Sequence, residues 1–199
     1  MPLKIQYNKT FSQELSKQLT VRERALPTLK SKETALRIEV KKAMDLVDLI
    51  KEKYDQSMQG LLMAEILLRE FPHCLRVTRI HSNTKNIAGV KVEVFQNIEF
   101  DINLIHFTQQ PAWLPMGLEM VKKTIELKIS LQFARNQLKM LSYHRKKTTQ
   151  KVNLYEKVQI PEFKSAILRI KRYLEDEENL QKAAQKIVKE RHLQMDKVV

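Results

Sequence analysis

Two long rows of regularly spaced apolar residues most constrain the fold of this chain. In the first row, steps of four and three alternate without a break: Leu36, Val40, Ala43, Val47, Ile50 and Tyr54. A second row keeps similar steps near the other end of the chain: Phe163, Ala166, Ile170, Tyr173, Glu177, Leu180, Ala184 and Ile187. Such spacing predicts helices with one narrow inward-facing stripe, which we call the seam. Each helix therefore needs a partner helix along its seam.

The first row extends upstream, and its extension is less regular. The added seam positions are Phe11, Leu15, Leu19, Arg22, Leu26, Leu29 and Glu33. Arg22 and Glu33 are polar, and polar seam residues cost stability but can fix the register of a helix pair. Pro27 lies inside the pattern and removes one helical hydrogen bond, which predicts a kink or a break there. We expect the helix to end near Phe71, because a residue before proline is pushed out of the helical region.

The segment between the two rows has the pattern of β-strands. Leu75–Ile80 and Val90–Val94 alternate between apolar and polar residues, and residues 81–89 are rich in turn formers. Residues 99–102 are a candidate third strand. A two-stranded ribbon is marginal alone, so it must pack on the helices or on a partner.

The second long helix is predicted over residues 117–195. Its first part offers the seam positions Leu118, Val121, Ile125, Ile129, Phe133, Leu138 and Leu141. Pro161 predicts a second kink. If this helix folds back antiparallel onto the first, the numbers of facing residues sum to about 188. That register places Pro161 opposite Pro27.

We therefore predict a mainly α fold, a long antiparallel two-helix coiled coil with a small β-hairpin insert. The predicted organisation is a single elongated domain, with residues 1–71 and 117–199 as the long helices and 72–116 as the insert. Only 3 glycines and a charged fraction of 30% fit long helices better than a compact mixed fold.

The basic charge is concentrated in one segment. The formal net charge is +13, and residues 122–172 carry 14 basic against 3 acidic side chains. Such a segment indicates an acidic partner surface or nucleic acid, and the alternative is a solvated helix face. Arg145, Lys146 and Lys147 are the candidate contacts. The segment lacks interleaved aromatic residues and any known DNA-reading motif, so we expect no nucleic-acid partner.

Nothing in the sequence indicates catalysis or a cofactor. The five histidines share no metal-ligand spacing with one another or with Cys74, and no glycine-rich phosphate loop is present. The lone Cys74 excludes an internal disulfide and fits a reducing compartment. No run of about 18 apolar residues occurs, and the N-terminus lacks the apolar core of a signal peptide, so we expect no direct membrane insertion.

Residues 152–161 resemble a family signature. They are similar to the VNALE-x-VVIP pattern of the D subunits of V-type and A-type rotary ATPases, matched by Val152, Asn153, Glu156, Val158, Ile160 and Pro161. Upstream, Leu29, Lys30 and Lys32 resemble the LLKxKRDxL pattern of that family. Residues 87–92 resemble its hairpin segment.

The resemblance implies a non-catalytic rotor axle in the central stalk. Its partners would be the ring of catalytic and regulatory subunits, the F subunit of the stalk and the funnel-shaped subunit on the membrane side. It would be cytoplasmic and peripheral on the membrane, with hairpin residues Val77, Arg79, Val90 and Val92 as candidate partner contacts. The alternatives are a cytoplasmic coiled-coil scaffold and a basic nucleic-acid-binding helical protein. Proton or sodium coupling, and synthesis or hydrolysis, stay open.

Overall fold

The computed structural model describes residues 5–64, 69, 71–72, 74–103 and 112–195. In chain order, the elements are α1 (Lys9–Met63), β1 (Leu75–Ile87), β2 (Val90–Ile102), α2 (Leu114–Asn153), a π-helical segment (Leu154–Gln159) and α3 (Ile160–Met195). Long N- and C-terminal helices with an antiparallel hairpin between them confirm the predicted fold class.

The chain packs as two compact units. The terminal unit comprises Met1–Ser31 and Thr149–Val199, and the hairpin unit comprises Lys32–Thr148. Each unit has its own cluster of buried apolar side chains. The single elongated domain expected from the sequence stays a prediction.

In the hairpin unit, α1 and α2 pair along the predicted seam of α1. The buried side chains form two clusters: Leu36, Val40, Ala43 and Leu141 in the first, and Val47, Leu131 and Ala134 in the second. Ile50 and Tyr54 pack against the second cluster, so the whole row that begins at Leu36 faces inward. Full burial of each leucine or valine in these clusters contributes roughly 1.5–3 kcal/mol.

The predicted seam in the first part of α2 is partly wrong. The buried positions of α2 are Leu114, Leu118, Thr124, Leu131, Ala134 and Leu141, whereas Ile125, Ile129 and Phe133 are half-buried. The reason is that the hairpin also covers α2, since the Phe95 ring lies 6.0 Å from the Phe133 ring. A helix covered from two sides has a wider apolar face than a coiled-coil seam, and a single spacing rule cannot separate the two faces.

The hairpin is longer and tighter than predicted. β1 and β2 pair antiparallel from Leu75 opposite Ile102 to Ile87 opposite Val90. Ala88 and Gly89 alone form the turn, with φ angles of 51° and 77°, as two-residue hairpin turns prefer. Residues 81–87 therefore belong to β1, and the suggested third strand is the end of β2.

The hairpin packs on the helices of its own unit, as expected for a two-stranded ribbon. Val90 and Val92 are 2% and 3% exposed, and they join Leu36 and Leu141 in one buried cluster. Further along β2, the Lys122 ammonium lies 5.9 Å from the centre of the Phe100 ring.

In the terminal unit, α1 pairs with α3 and with the π-helical segment. Leu15, Phe163, Ala166 and Ile170 form its buried cluster. Asn8 caps the start of α1, where the Phe11 N–H donates to the Asn8 Oδ1 at 2.7 Å. The upstream seam of α1 is confirmed where its residues contact α3: Leu15 belongs to this cluster, Phe11 and Leu19 pack against it, and Arg22 lies over the Phe163 ring.

Pro161 explains the position of the π-helical segment. A proline has no N–H, and in a regular α-helix its ring clashes with the carbonyl of residue i−4. Just before Pro161 the helix closes on residue i−5 instead, with the Ile160 N–H donating to the Tyr155 carbonyl. The wider π turn makes room for the ring, and prolines and π turns are the usual places where helices bend.

Of the kink or break predicted at Pro27, the break does not occur, and the kink stays a prediction. α1 runs without interruption from Lys9 to Met63 with Pro27 inside it. Pro27 and Glu23, whose carbonyl loses its donor, are both exposed, so water can hydrogen-bond to that carbonyl. α1 ends at Met63, and most of the predicted continuation to Phe71 lies outside the described residues.

The predicted alignment of the two prolines agrees with the contacts around them. The Glu23 carboxylate lies 2.8 Å from the Lys164 ammonium, and the Lys30 ammonium lies 2.6 Å from the Glu156 carboxylate. Pro27 falls between Glu23 and Lys30, and Pro161 falls between Glu156 and Lys164. The two prolines therefore lie at one level of the helix pair.

The glycines give a test of the hairpin turn. Gly89→Ala should lower the free energy of unfolding by about 1 kcal/mol, because φ is positive there and a Cβ would lie 3.2 Å from the Lys32 Nζ. Gly60→Ala is the matched control, since Gly60 is helical and its Cβ would meet the Met120 Cε at an ordinary 3.7 Å. It should stabilise by roughly 0.5–1 kcal/mol. Urea unfolding of both variants checks the opposite signs; equal signs would contradict the assigned turn.

Candidate interaction surfaces

The segment that resembles the family signature is divided by the π turn into an inner and an outer set. Val152, Tyr155, Gln159 and Ile160 are half-buried, whereas Asn153, Glu156 and Pro161 are exposed. Leu154 and Val158 are apolar yet 43% and 50% exposed. The inner set faces the paired helix of the terminal unit, and the outer set is available to a partner.

Arg22 of α1 is the residue that the inner set contacts. Its Nε donates to the Gln159 Oε1 at 2.8 Å, and its Nη1 donates to the Gln18 carbonyl at 3.0 Å. The guanidinium carbon lies 4.6 Å from the centre of the Phe163 ring and 5.9 Å from that of Tyr155. Arg22 thus has an amide acceptor, a backbone acceptor and two aromatic faces, which together compensate the burial of a charge in a seam.

Two signature residues from different helices meet in an ion pair. Lys30 of α1 and Glu156 of the π-helical segment are 2.6 Å apart, and both side chains are nearly half exposed. Exposed pairs of this kind contribute at most about 1 kcal/mol, so this one bears more on alignment than on stability. The sequence identified both residues but did not pair them.

Leu29 and Lys32, the other two residues of the upstream pattern, have structural surroundings. Leu29 is half-buried in the seam of the terminal unit. Lys32, in the hairpin unit, lies against the hairpin turn, with its Nζ 3.2 Å from the position of a Cβ on Gly89. A side chain in place of the Gly89 hydrogen would therefore displace the Lys32 ammonium.

The predicted basic patch is narrower than its sequence suggests. Lys146 and Lys147 are exposed, and the Lys147 Nζ lies 5.6 Å from the centre of the Tyr143 ring. Arg145 is half-buried and its Nε is fully buried. Lys146 and Lys147 thus form the surface part of the patch, and Arg145 faces inward.

The predicted contacts in the hairpin also divide into two groups. Val77 is 36% exposed and Arg79 is exposed on β1. Val90 and Val92 are in the core of the hairpin unit, so their side chains already contact the helices of this chain. Alternation along β2 identified a strand but not which face it buries.

The C-terminal half of α3 is an uncovered helix. From Tyr173 onward the predicted seam is exposed: Tyr173 is 48% exposed, Leu180 71% and Ile187 51%. Tyr173 lies against Tyr7, which precedes α1, with the ring centres 4.9 Å apart. Beyond it, the predicted inward positions Glu177, Leu180, Ala184 and Ile187 are exposed among the described residues. We call Leu180, Ala184, Ile187 and Val188 the α3 stripe.

One acidic side chain on this uncovered helix has a perturbed pKa. The Lys182 ammonium lies 2.8 Å from the Glu178 carboxylate, and its hydrogen bond and positive charge lower the pKa of Glu178. A lowered pKa means that the pair stabilises the helix above the unfolded pKa of Glu178 and is lost as the pH falls through the folded value. Both side chains are exposed, so the pair supports a solvated face of α3.

Within the described ranges, no three His, Cys, Asp or Glu side chains come together in a way that could hold a metal ion. His73 and His106 lie outside those ranges. In the same part of the chain, no helix is long and apolar enough to cross a membrane.

Comparisons with known proteins agree with the resemblance noted in the sequence. The family of ATP synthase D subunits matches residues 12–190. The D subunit of a V-type ATP synthase from Borreliella burgdorferi is 28% identical over 189 residues, which cover 94% of each chain. Proteins of the same name from Chlamydia felis and Chlamydia trachomatis are 24% and 27% identical over 157 residues, which cover 76% of this chain and 76% and 77% of theirs.

The division of the hairpin into core and surface can be measured. Val92→Ala should lower the free energy of unfolding by about 2 kcal/mol, because it removes two buried methyl groups from the cluster around Leu36. Val77→Ala makes the same chemical change on an exposed part of β1 and should cost less than about 0.5 kcal/mol. Thermal and urea unfolding check both values. Equal losses would contradict the assigned packing.

Proposed function

The chain belongs to the family of ATP synthase D subunits, and from this premise we propose that it is the rotor axle in the central stalk of a V-type or A-type ATPase. In this role it couples ATP hydrolysis or synthesis in the catalytic ring to rotation of the ring that carries ions across the membrane. It is a non-catalytic, cytoplasmic subunit, peripheral on the membrane within the complex.

The observation that carries this proposal has two parts. The helices are packed along their seams in both units, and the C-terminal half of α3 exposes apolar residues. A rotor subunit needs helices held together firmly enough to transmit torque, and seam packing in both units supplies such pairing. It also needs a surface for the ring, and the α3 stripe leaves apolar residues without a partner among the described residues. Exposed apolar stripes of this kind mark protein-binding surfaces.

We assign one exposed surface to each proposed partner. The α3 stripe and the outer residues Leu154 and Val158 serve the ring of catalytic and regulatory subunits. The hairpin, through Val77 and Arg79, serves the F subunit of the stalk or the membrane-side funnel subunit. Lys146 and Lys147 face acidic loops of the ring. Opposite charges attract these surfaces over a distance without requiring tight packing between them.

Removing the surface part of the basic patch tests the electrostatic contact. Lys146→Gln with Lys147→Gln should weaken co-purification with the ring subunits and reduce coupling, and should leave the melting temperature unchanged because both side chains are exposed. The effect should be largest at low salt, since screening already weakens such contacts at high salt.

The matched control for that pair is Lys41→Gln with Lys53→Gln, which removes the same charge from exposed positions of α1. The control should leave association and coupling unchanged. Equal losses in both double variants would mean that net charge, and not this patch, matters. Capture of nucleic acid in place of ring subunits would instead favour the basic nucleic-acid binder.

The α3 stripe gives a second test. Leu180→Asp with Ile187→Asp should strongly reduce binding to the ring, because two desolvated apolar contacts become charged. The same change should alter the free energy of unfolding by no more than about 0.5 kcal/mol per site, since both side chains are at least half exposed. Gln185→Asp is the control outside the stripe. Normal ring binding by the double variant would contradict the assignment of this surface.

A further inference from the structure

The α3 stripe has a charge of opposite sign at each end. Glu177 precedes Leu180 by three residues, and Arg191 follows Ile187 by four, so both charges continue the spacing of the stripe on one face of the helix. All side chains between Glu175 and Arg191 are exposed. This face of α3 therefore presents an acid, an apolar centre and a base, in that order.

Neither of these two charges has an opposite charge within reach on its own helix. Ion pairs on one helix join residues that are three or four positions apart. At those positions both charges have only neutral neighbours, which are Tyr173, Leu174, Leu180 and Gln181 for Glu177, and Ile187, Val188, Gln194 and Met195 for Arg191. On the opposite side of α3, in contrast, Lys182 pairs with Glu178 at 2.8 Å. An ion-pair partner for Glu177 or Arg191 must therefore come from outside α3.

A reversed second copy of α3 supplies both missing partners. Glu177 and Arg191 each lie seven residues from Ala184, and Leu180 and Val188 each lie four residues from it. In an antiparallel pair of α3 helices centred on Ala184, Glu177 of each copy is therefore level with Arg191 of the other copy. Leu180 of each copy is level with Val188 of the other. The pair is two-fold symmetric, so each of these contacts is made twice.

The uncovered part of α3 is long enough for this arrangement. From Tyr173, where Tyr7 lies against it, the helix continues to Met195 over roughly 30 Å. In the antiparallel pair, Tyr173 of one copy is level with Met195 of the other, so each uncovered segment ends where the other copy's helix pairing begins. A parallel pair would instead place Glu177 beside Glu177 and Arg191 beside Arg191. Charge therefore favours the antiparallel pair.

We propose that the free chain forms a reversible antiparallel dimer through the α3 stripe, with Glu177 of each copy beside Arg191 of the other. An interface of this length belongs with the weak, exchanging interfaces below about 1,200 Å². The dimer itself does not depend on the rotor assignment. Its consequence rests on the proposed function, because a second copy then covers the stripe until the ring displaces it.

Charge reversal tests the dimer in the isolated full-length chain. Glu177→Arg and Arg191→Glu, made singly, each place like charges together at both ends of the homodimer. Each should weaken the dimer roughly tenfold, as measured by sedimentation equilibrium over a range of protein concentrations. The double variant has opposite charges at both ends again and should dimerise like the unchanged chain.

A mixture of the two single variants separates specific pairing from a general effect of charge. In the mixed dimer, each end again joins an acid from one copy to a base from the other. The mixture should therefore dimerise about as tightly as the unchanged chain, although neither variant does so alone. Lys189→Glu is the matched control, because it makes the same charge change on the opposite side of α3 and should leave the dimer unchanged.

Three results would overturn the proposal: a chain that stays monomeric at every concentration, a dimer that both single variants leave unchanged, or a mixture that dimerises no more tightly than its components. All the substituted side chains are exposed, so the variants should fold, and thermal unfolding checks this. If one single variant does not fold, the other single variant and the double variant decide. Because no ring subunit is present, the dimer can fail while the rotor function holds, and the reverse is also possible.

Discussion

Helix pairing along the seam is the interaction on which the rest of the structure depends. Helices with one narrow apolar stripe gain little stability alone, and most of their stability comes from packing. The hairpin depends on the same pairing, because a two-stranded ribbon is marginal and its Val90 and Val92 complete the cluster around Leu36 and Leu141. The hairpin is thus a third partner of an existing helix pair and does not form a separate folding core.

Departures from regular helix chemistry are concentrated at one level of the terminal unit. Two ion pairs mark this level: Glu23 with Lys164, and Lys30 with Glu156. The prolines and the π turn lie between them, and the half-buried Arg22 lies beside them. Local rules are usually broken where a protein has a function to serve. This level also contains residues 152–161, which resemble the family signature, so that segment and the irregular part of the helix pair coincide.

The sequence predicted the fold class and the seam of α1 because both depend on spacing alone. Arg22 and Glu33 were assigned to the seam from spacing and are half-buried there.

The strands were predicted too short because the side chains of β1 are mostly exposed, so residues 81–87 carry no apolar alternation. The burial of Val92 was not predictable either, since alternation defines two faces without saying which one meets the helices. The π turn left only a trace in the spacing: Tyr155, Gln159 and Phe163 follow one another in two steps of four, where a heptad alternates four and three. Contacts between distant residues, such as Arg22 with Gln159, require the register, which spacing predicts only approximately.

A rotor function is tested most directly by watching the chain rotate. The chain would be assembled with its ring subunits fixed to a surface, and a visible probe would be attached to a cysteine at the exposed Thr84 of the hairpin, with Cys74 replaced by Ala. If the chain is the axle, the probe turns in one direction when ATP is supplied and stops when ATP is withdrawn. A probe that stays fixed relative to the ring while ATP is hydrolysed would contradict the rotor function.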